Sequence, residues 1–213
     1  RDQARLVESV RHLLVALARR RWARTLDPAR CGEELAGLLP TVPGLLNLGL
    51  ARADGLVVCS AVDGRTGTSI AHRRYFREAL ATRSFAVGDY QIGLLTRAAS
   101  VNVAEPVAEA GQVVGVAFAA VDLAWLYGVA AEAQLPDGSV LLVVDESQTV
   151  LVRHPPQADL VGRPAEPSLR RFLERTDDGI AVLTGADGVE RLYAAARVRD
   201  GFDSGLQVAV GLP

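Results

Sequence analysis

The feature that most restricts how this chain can fold is a change of hydrophobic period that occurs, and is then repeated. From residue 2 to about 29 apolar side chains return every three or four positions. Leu6, Val10, Leu13, Leu14 and Leu17 make one stripe, and Arg11, Arg19 and Arg20 lie on the other face. This is the signature of a long amphipathic helix, with no Gly or Pro before Pro28. A shorter helical segment through Glu33 to Leu39 should stop near Pro40 and Pro43. From Leu46 the period becomes two. Leu46 to Leu50 alternates, Asp54-Gly55 turns, and Leu56-Val57-Val58 begins the return strand of a hairpin. A helix over 71–82 follows, then strands over 85–91, 99–107 and 112–121, the last two joined by Ala110-Gly111. Asp122 stands where it could cap a helix running to about Gln134.

The same order then returns in shortened form. Val140 to Val144, a turn at Asp145-Glu146 and Thr149 to Val152 predict a second hairpin. A helix over 167–176 and strands over 180–184, 191–198 and 206–211 complete it, with a turn at Asp187-Gly188. The expected fold is α+β: a long N-terminal helix followed by two modules, each an antiparallel sheet flanked by helices. The segments are 1–43 (helix and connector), 44–126 and 127–213.

Composition removes several functions. A formal net charge of −2, with Arg as the only Lys/Arg-type cation, argues against a nucleic-acid partner held by a basic surface. No run approaches the about 18–20 apolar residues needed to cross a bilayer; the longest candidate is Val113 to Val121. Met is absent even at position 1, so a processed chain or a piece of a longer one is expected. There is no P-loop, GxGxxG or GxSxG motif. His12, His72 and His154 are too scattered to suggest a metal site, and no Cys or His is placed for a covalent cofactor. Neither an enzyme nor a cofactor is therefore expected. Cys31 and Cys59 are not a CxxC pair; they are either two small buried residues or one disulfide of an oxidising compartment.

Against this background, Asn47 through Leu126 resembles the membrane-distal half of a double Cache domain. The resembling pieces are Asp54-Gly55, the run Arg73-Arg74-Tyr75-Phe76-Arg77-Glu78-Ala79-Leu80, and Phe85 to Tyr90. They continue with Ala104-Glu105-Pro106-Val107, Gly115-Val116 and Val121-Asp122-Leu123. Each is short; their order and spacing over some eighty residues carry the likeness. Domains of this family hold two PAS-like modules on a long helix and form the periplasmic or extracellular sensors of histidine kinases, chemoreceptors and diguanylate cyclases. The resemblance implies a small-ligand sensor attached to the membrane through helices flanking this chain, and it allows a homodimer. It places Arg73 on a ligand carboxylate, Tyr75 on the pocket wall, and Asp89, Tyr90 and Asp122 at the same pocket. It also lays the first hairpin against the N-terminal helices, which implies a Cys31–Cys59 disulfide. Amino-acid-binding relatives carry an acid on the strand after the helix, where this chain reads Tyr90-Gln91-Ile92. A small organic anion, such as a short carboxylate, is therefore expected in preference to an α-amino acid. The distal module should hold the only sizeable polar pocket. The proximal module should be better filled. The competing reading is a cytosolic PAS-like module that binds a cofactor or a protein.

Overall fold

The computed structural model describes residues 2–62, 67–131, 134–157, 159–199 and 203–213. The chain divides into two compact units, 1–122 and 123–213. Each is built on a five-stranded, wholly antiparallel sheet.

In the first unit the N-terminal segment is not one helix to residue 29. It forms α1 (Asp2–Ala18), a short α2 (Arg21–Arg24) and α3 (Pro28–Leu38). Arg20 is extended, with ψ of 145°, and Leu26 takes a left-handed φ of 53°. Asp27 then caps α3, accepting hydrogen bonds from Ala29 and Arg30, and Pro28 occupies its first turn. A capping Asp followed by Pro starts a helix more readily than it continues one. This is why the apolar stripe overstates the first helix and understates α3. The reversal buries Trp22, Ala23, Cys31 and Leu35. The side chain of Leu6 lies outside the described residues.

The sheet contains β1 (Leu45–Arg52), β2 (Val57–Ser60), β3 (Ala86–Ile92), β4 (Ala99–Glu109) and β5 (Gln112–Asp122), in the order β2-β1-β5-β4-β3. Ala110 and Gly111 join β4 to β5 with φ of 50° and 80°, the left-handed pair that matches strand twist in a two-residue hairpin. The inner strands are buried on both faces. Val10, Leu14 and Leu17 of α1 are buried in the same unit as Val101, Val103 and Val121. α4 (Arg74–Thr82) places Tyr75, Phe76 and Ala79 in a cluster with Ala51, Ala86, Ala104, Val116 and Phe118. Cys31 of α3 and Cys59 of β2 form a disulfide, with Cα atoms 6.0 Å apart.

The second unit begins with α5 (Leu123–Ala131), directly after Asp122. Residues 132 and 133, in the stretch expected to finish this helix, lie outside the described residues. Its sheet holds β6 (Val140–Val144), β7 (Val150–His154), β8 (Asp178–Thr184), β9 (Glu190–Arg199) and β10 (Asp203–Leu212). Their order, β7-β6-β10-β9-β8, repeats that of the first sheet strand for strand. α6 (Pro167–Leu173) covers one face through Leu169 and Leu173, which are buried with Val140, Leu142, Val144 and Tyr193.

Candidate ligand-binding site

Cross-strand partners share a face of a sheet, so register shows what α4 covers. Across the middle run Gly49, Phe118, Ala104 and Ala86, an apolar row. The next row holds Asn47, Ala120 and Asn102, and the one after it Asp122, Ser100 and Gln91. The face thus grades from apolar to polar along its length. Asn47, Gln91, Ser100 and Asn102 are all buried, and burial of such groups is tolerated only where they find partners.

Above the polar rows stands the start of α4. Arg73 is not in the helix; it is the residue before it, extended, with its N–H on the Ile70 carbonyl at 2.9 Å. Tyr75, 2% exposed, lies over Gly88. A Cβ there would come within 2.9 Å of the Tyr75 ring, so only glycine lets the helix sit this close. Ser100 donates to the Asn102 carboxamide oxygen at 2.9 Å, and the Asn102 amide donates to the Tyr75 hydroxyl oxygen at 3.4 Å. The relay leaves the phenol proton to be donated onward. Burial pushes the Tyr75 phenol above its ordinary value, against the smaller opposing effects of Asn102, Arg73 and Gln91; the group is a neutral donor. Asn47 accepts from Ser60 at 2.9 Å and from the Val62 N–H at 3.3 Å.

These groups line a small cavity of about 20 Å³, together with Ile70, Phe118, Ala120 and the segment 93–96. Its described lining offers one guanidinium, three carboxamides, a phenol and a threonine hydroxyl, and no carboxylate. An open polar groove of about 210 Å³ adjoins it, sharing Arg73, Tyr75 and Gln91 and adding His72, Arg74, Arg77, Asp89 and Tyr90.

The structure brings Arg73 and Tyr75 together at the cavity and separates the other three expected residues from it. Asp89 borders only the groove, where Arg74 binds its carboxylate at 2.7 Å and also reaches Glu78 at 3.2 Å. Arg74 is thus the local partner of Asp89. Tyr90 is opposite Val101, on the alternate face in register, and reaches only the groove. Asp122 pairs with Ser100 at the polar end of the face, one position beyond the lining. The sequence reading missed Asn47, Gln91, Ser100 and Asn102 as a group. Their signal was polar residues at alternate positions, Ser100 and Asn102, inside the otherwise apolar stretch 99–104 of β4. Among the described residues no group of three or more His, Cys, Asp or Glu side chains is placed to hold a metal ion.

The expectation that the second unit would be the better filled is not met. It holds a cavity of about 200 Å³ under α6. In the first unit Tyr75 and Phe76 are both buried under the helix, whereas α6 buries Leu169 and Leu173 and its one aromatic, Phe172, packs only half-buried against the same cluster.

No protein-family model and no curated protein sequence matches the chain. Solved structures do. The extracellular domain of rpHK1S-Z16, assigned as a histidine kinase, superposes with a TM-score of 0.81 at 18% identity, covering 99% of this chain and 88% of that one. The ligand-binding domain of the Pseudomonas fluorescens chemoreceptor CtaA, in complex with L-leucine, gives 0.74 at 18% identity, over 98% and 87%. The sensor domain of the V. cholerae histidine kinase DctB gives 0.68 at 14% identity, over 97% and 90%. The chain therefore has the two-module α+β fold of the extracellular sensor domains of histidine kinases and chemoreceptors, the fold that the double Cache resemblance implies.

Proposed function

We propose that this chain is the extracytoplasmic sensor domain of a membrane-bound signalling receptor, and that its first, membrane-distal module binds a small carboxylate. The observation that carries the ligand class is the lining of the first cavity: Arg73 beside carboxamides and the Tyr75 phenol, with no acid among the described lining residues. A guanidinium offers a planar fork of donors to a carboxylate, and a phenol held neutral by burial adds a further donor. A free ammonium would meet only neutral acceptors there, with Asp122 one position away. The reading supports a carboxylate over an α-amino acid, although the CtaA domain is solved with L-leucine, L-isoleucine and L-serine. The extracellular origin of the similar domains and the Cys31–Cys59 disulfide favour a site outside the cytosol. Among the described residues no helix is long and apolar enough to cross a membrane.

The test is local. Hydrogen exchange of the whole chain is followed while short carboxylates and amino acids are screened. Carboxylates should slow exchange in β3, β4 and the 93–98 segment, and Arg73→Ala should weaken that protection about ten- to a hundred-fold in ligand concentration. Protection by amino acids alone, or protection unchanged in Arg73→Ala, refutes the assignment.

A further inference from the structure

The second module has a cavity that the reading above does not use. It lies between α6, the residues before it and strands β6 to β9, and measures about 200 Å³. An apolar cavity of about 150 Å³ is enough to hold benzene, so this one has room for a short hydrocarbon chain or a single ring. Val140, Leu142, Val150, Leu169 and Leu183 give it apolar walls.

One wall is charged. Arg153 lies opposite Leu142 in register, on the cavity face, with its side chain only 9% exposed. Its Nη1 donates to the Pro155 carbonyl at 2.7 Å. The Asp187 carboxylate, 3.8 Å from Nη2, is beyond hydrogen-bonding distance. Asp187 is instead held by Arg191 through two hydrogen bonds of 2.8 and 2.7 Å, a bidentate clamp that leaves it little to offer a second cation. A buried guanidinium thus faces an apolar space with its nearby acid committed elsewhere. Glu166, half-buried, borders the same cavity. It opposes a second negative charge on any ligand.

We propose that this cavity is a second ligand site, taking a small monocarboxylate with a short apolar body. The carboxylate would sit on Arg153, the body against Val140, Leu142 and Leu169, and Glu166 would discriminate against dicarboxylates. The site is independent of Arg73 and stands or falls separately from the first.

Calorimetric titration of the whole chain with butyrate and with succinate tests it. Butyrate binding should survive Arg73→Ala. Ala165→Leu, which extends a side chain into the cavity, should weaken that binding by about tenfold or more, and Arg153→Met by about ten- to a hundred-fold. Succinate should bind more weakly than butyrate. Should Arg153→Met fail to fold, Ala165→Leu decides alone. Butyrate binding lost in Arg73→Ala, unchanged in Ala165→Leu, or absent at millimolar concentration overturns the site. Succinate binding as tightly as butyrate overturns the role given to Glu166.

Discussion

The two sheets run in the same strand order, and each is covered on one face by a single short helix. The helices do different things. α4 drives Tyr75 and Phe76 into the sheet and leaves about 20 Å³ at its polar end. α6 brings Leu169 and Leu173 and leaves about 200 Å³, with Arg153 and the Asp187–Arg191 pair at one corner and Glu166 also on its border. The first module binds its polar groups to one another in a relay of neutral hydrogen bonds. The second concentrates them in one ionic clamp. Topology is shared, and the chemistry of each interior is set by a few side chains on the covering helix and on alternate strand positions. A fold likeness to sensor domains therefore does not by itself say which module carries a ligand.

The sharpest way to break the comparison is to remove the clamp. Asp187→Ala strands the Arg191 guanidinium, less than a tenth exposed, by removing both of its carboxylate hydrogen bonds. Removing one partner of a buried pair costs about 3–5 kcal/mol, and hydrogen exchange should accelerate in β6 to β10 while β1 to β5 keep their protection. Equal acceleration in both sheets would show one cooperative unit rather than two. The disulfide gives the converse test in the first module. With its cysteines 28 positions apart in sequence, its loss should cost about 3.5 kcal/mol on the chain-entropy account. Reduction should destabilise β1, β2 and α3 and spare the second sheet; a uniform loss again argues against separate units. Acid sharpens the contrast with a smaller effect. The Arg191 hydrogen bonds hold the Asp187 carboxyl down at about 2, against a lesser cost of burial. A depressed carboxyl stabilises the fold fully above its unfolded value, near 3.9, and that contribution disappears as pH falls through about 2. Partial exposure of Asp187 screens the pair, so about 1 kcal/mol should be lost between pH 4 and 2. Asp187→Asn should lack that step, and an identical acid profile in this variant would show the clamp to be electrostatically idle.

The succession of strands along the chain was legible because period and turns agree. The alternation before Asp54-Gly55 and the pair Ala110-Gly111 fall where β1 and β5 begin and end their hairpins. The break in the first helix was not, because the stripe through Leu17 continues in helical period while the backbone reverses at Arg20 and Leu26. Pro28 was taken as an end, although Asp27 before it makes it a beginning. β8 misleads in another way. Ile180 and Val182 are large apolar side chains, yet they are 70% and 59% exposed, since alternation shows that a strand has two faces without saying which is covered. Of the candidate site, Arg73 and Tyr75 were visible through the family likeness. Asn47, Gln91 and Asn102 come together only through register across β1, β3, β4 and β5, and no local window contains them. The larger cavity was unreadable for a related reason: empty volume is set by what neighbouring elements fail to fill.

The segment from Gly93 to Ala98 closes on itself. The Gly93 N–H reaches the Ala98 carbonyl at 2.8 Å, and the Arg97 N–H reaches Gly93 at 3.0 Å, with Arg97 at φ of 58°. It borders a space with room for about one water molecule. A carboxylate seated wholly within this space, rather than in the adjoining groove, would need the turn to lift. The observed dissociation constant is then the intrinsic one divided by the fraction of lifted molecules, so a turn open about 1% of the time weakens binding about a hundredfold. Substitutions that loosen it, with no atom near the ligand, would then tighten the apparent binding. Affinity at the proposed site would be set by the stability of a six-residue turn as well as by the groups that hold the ligand.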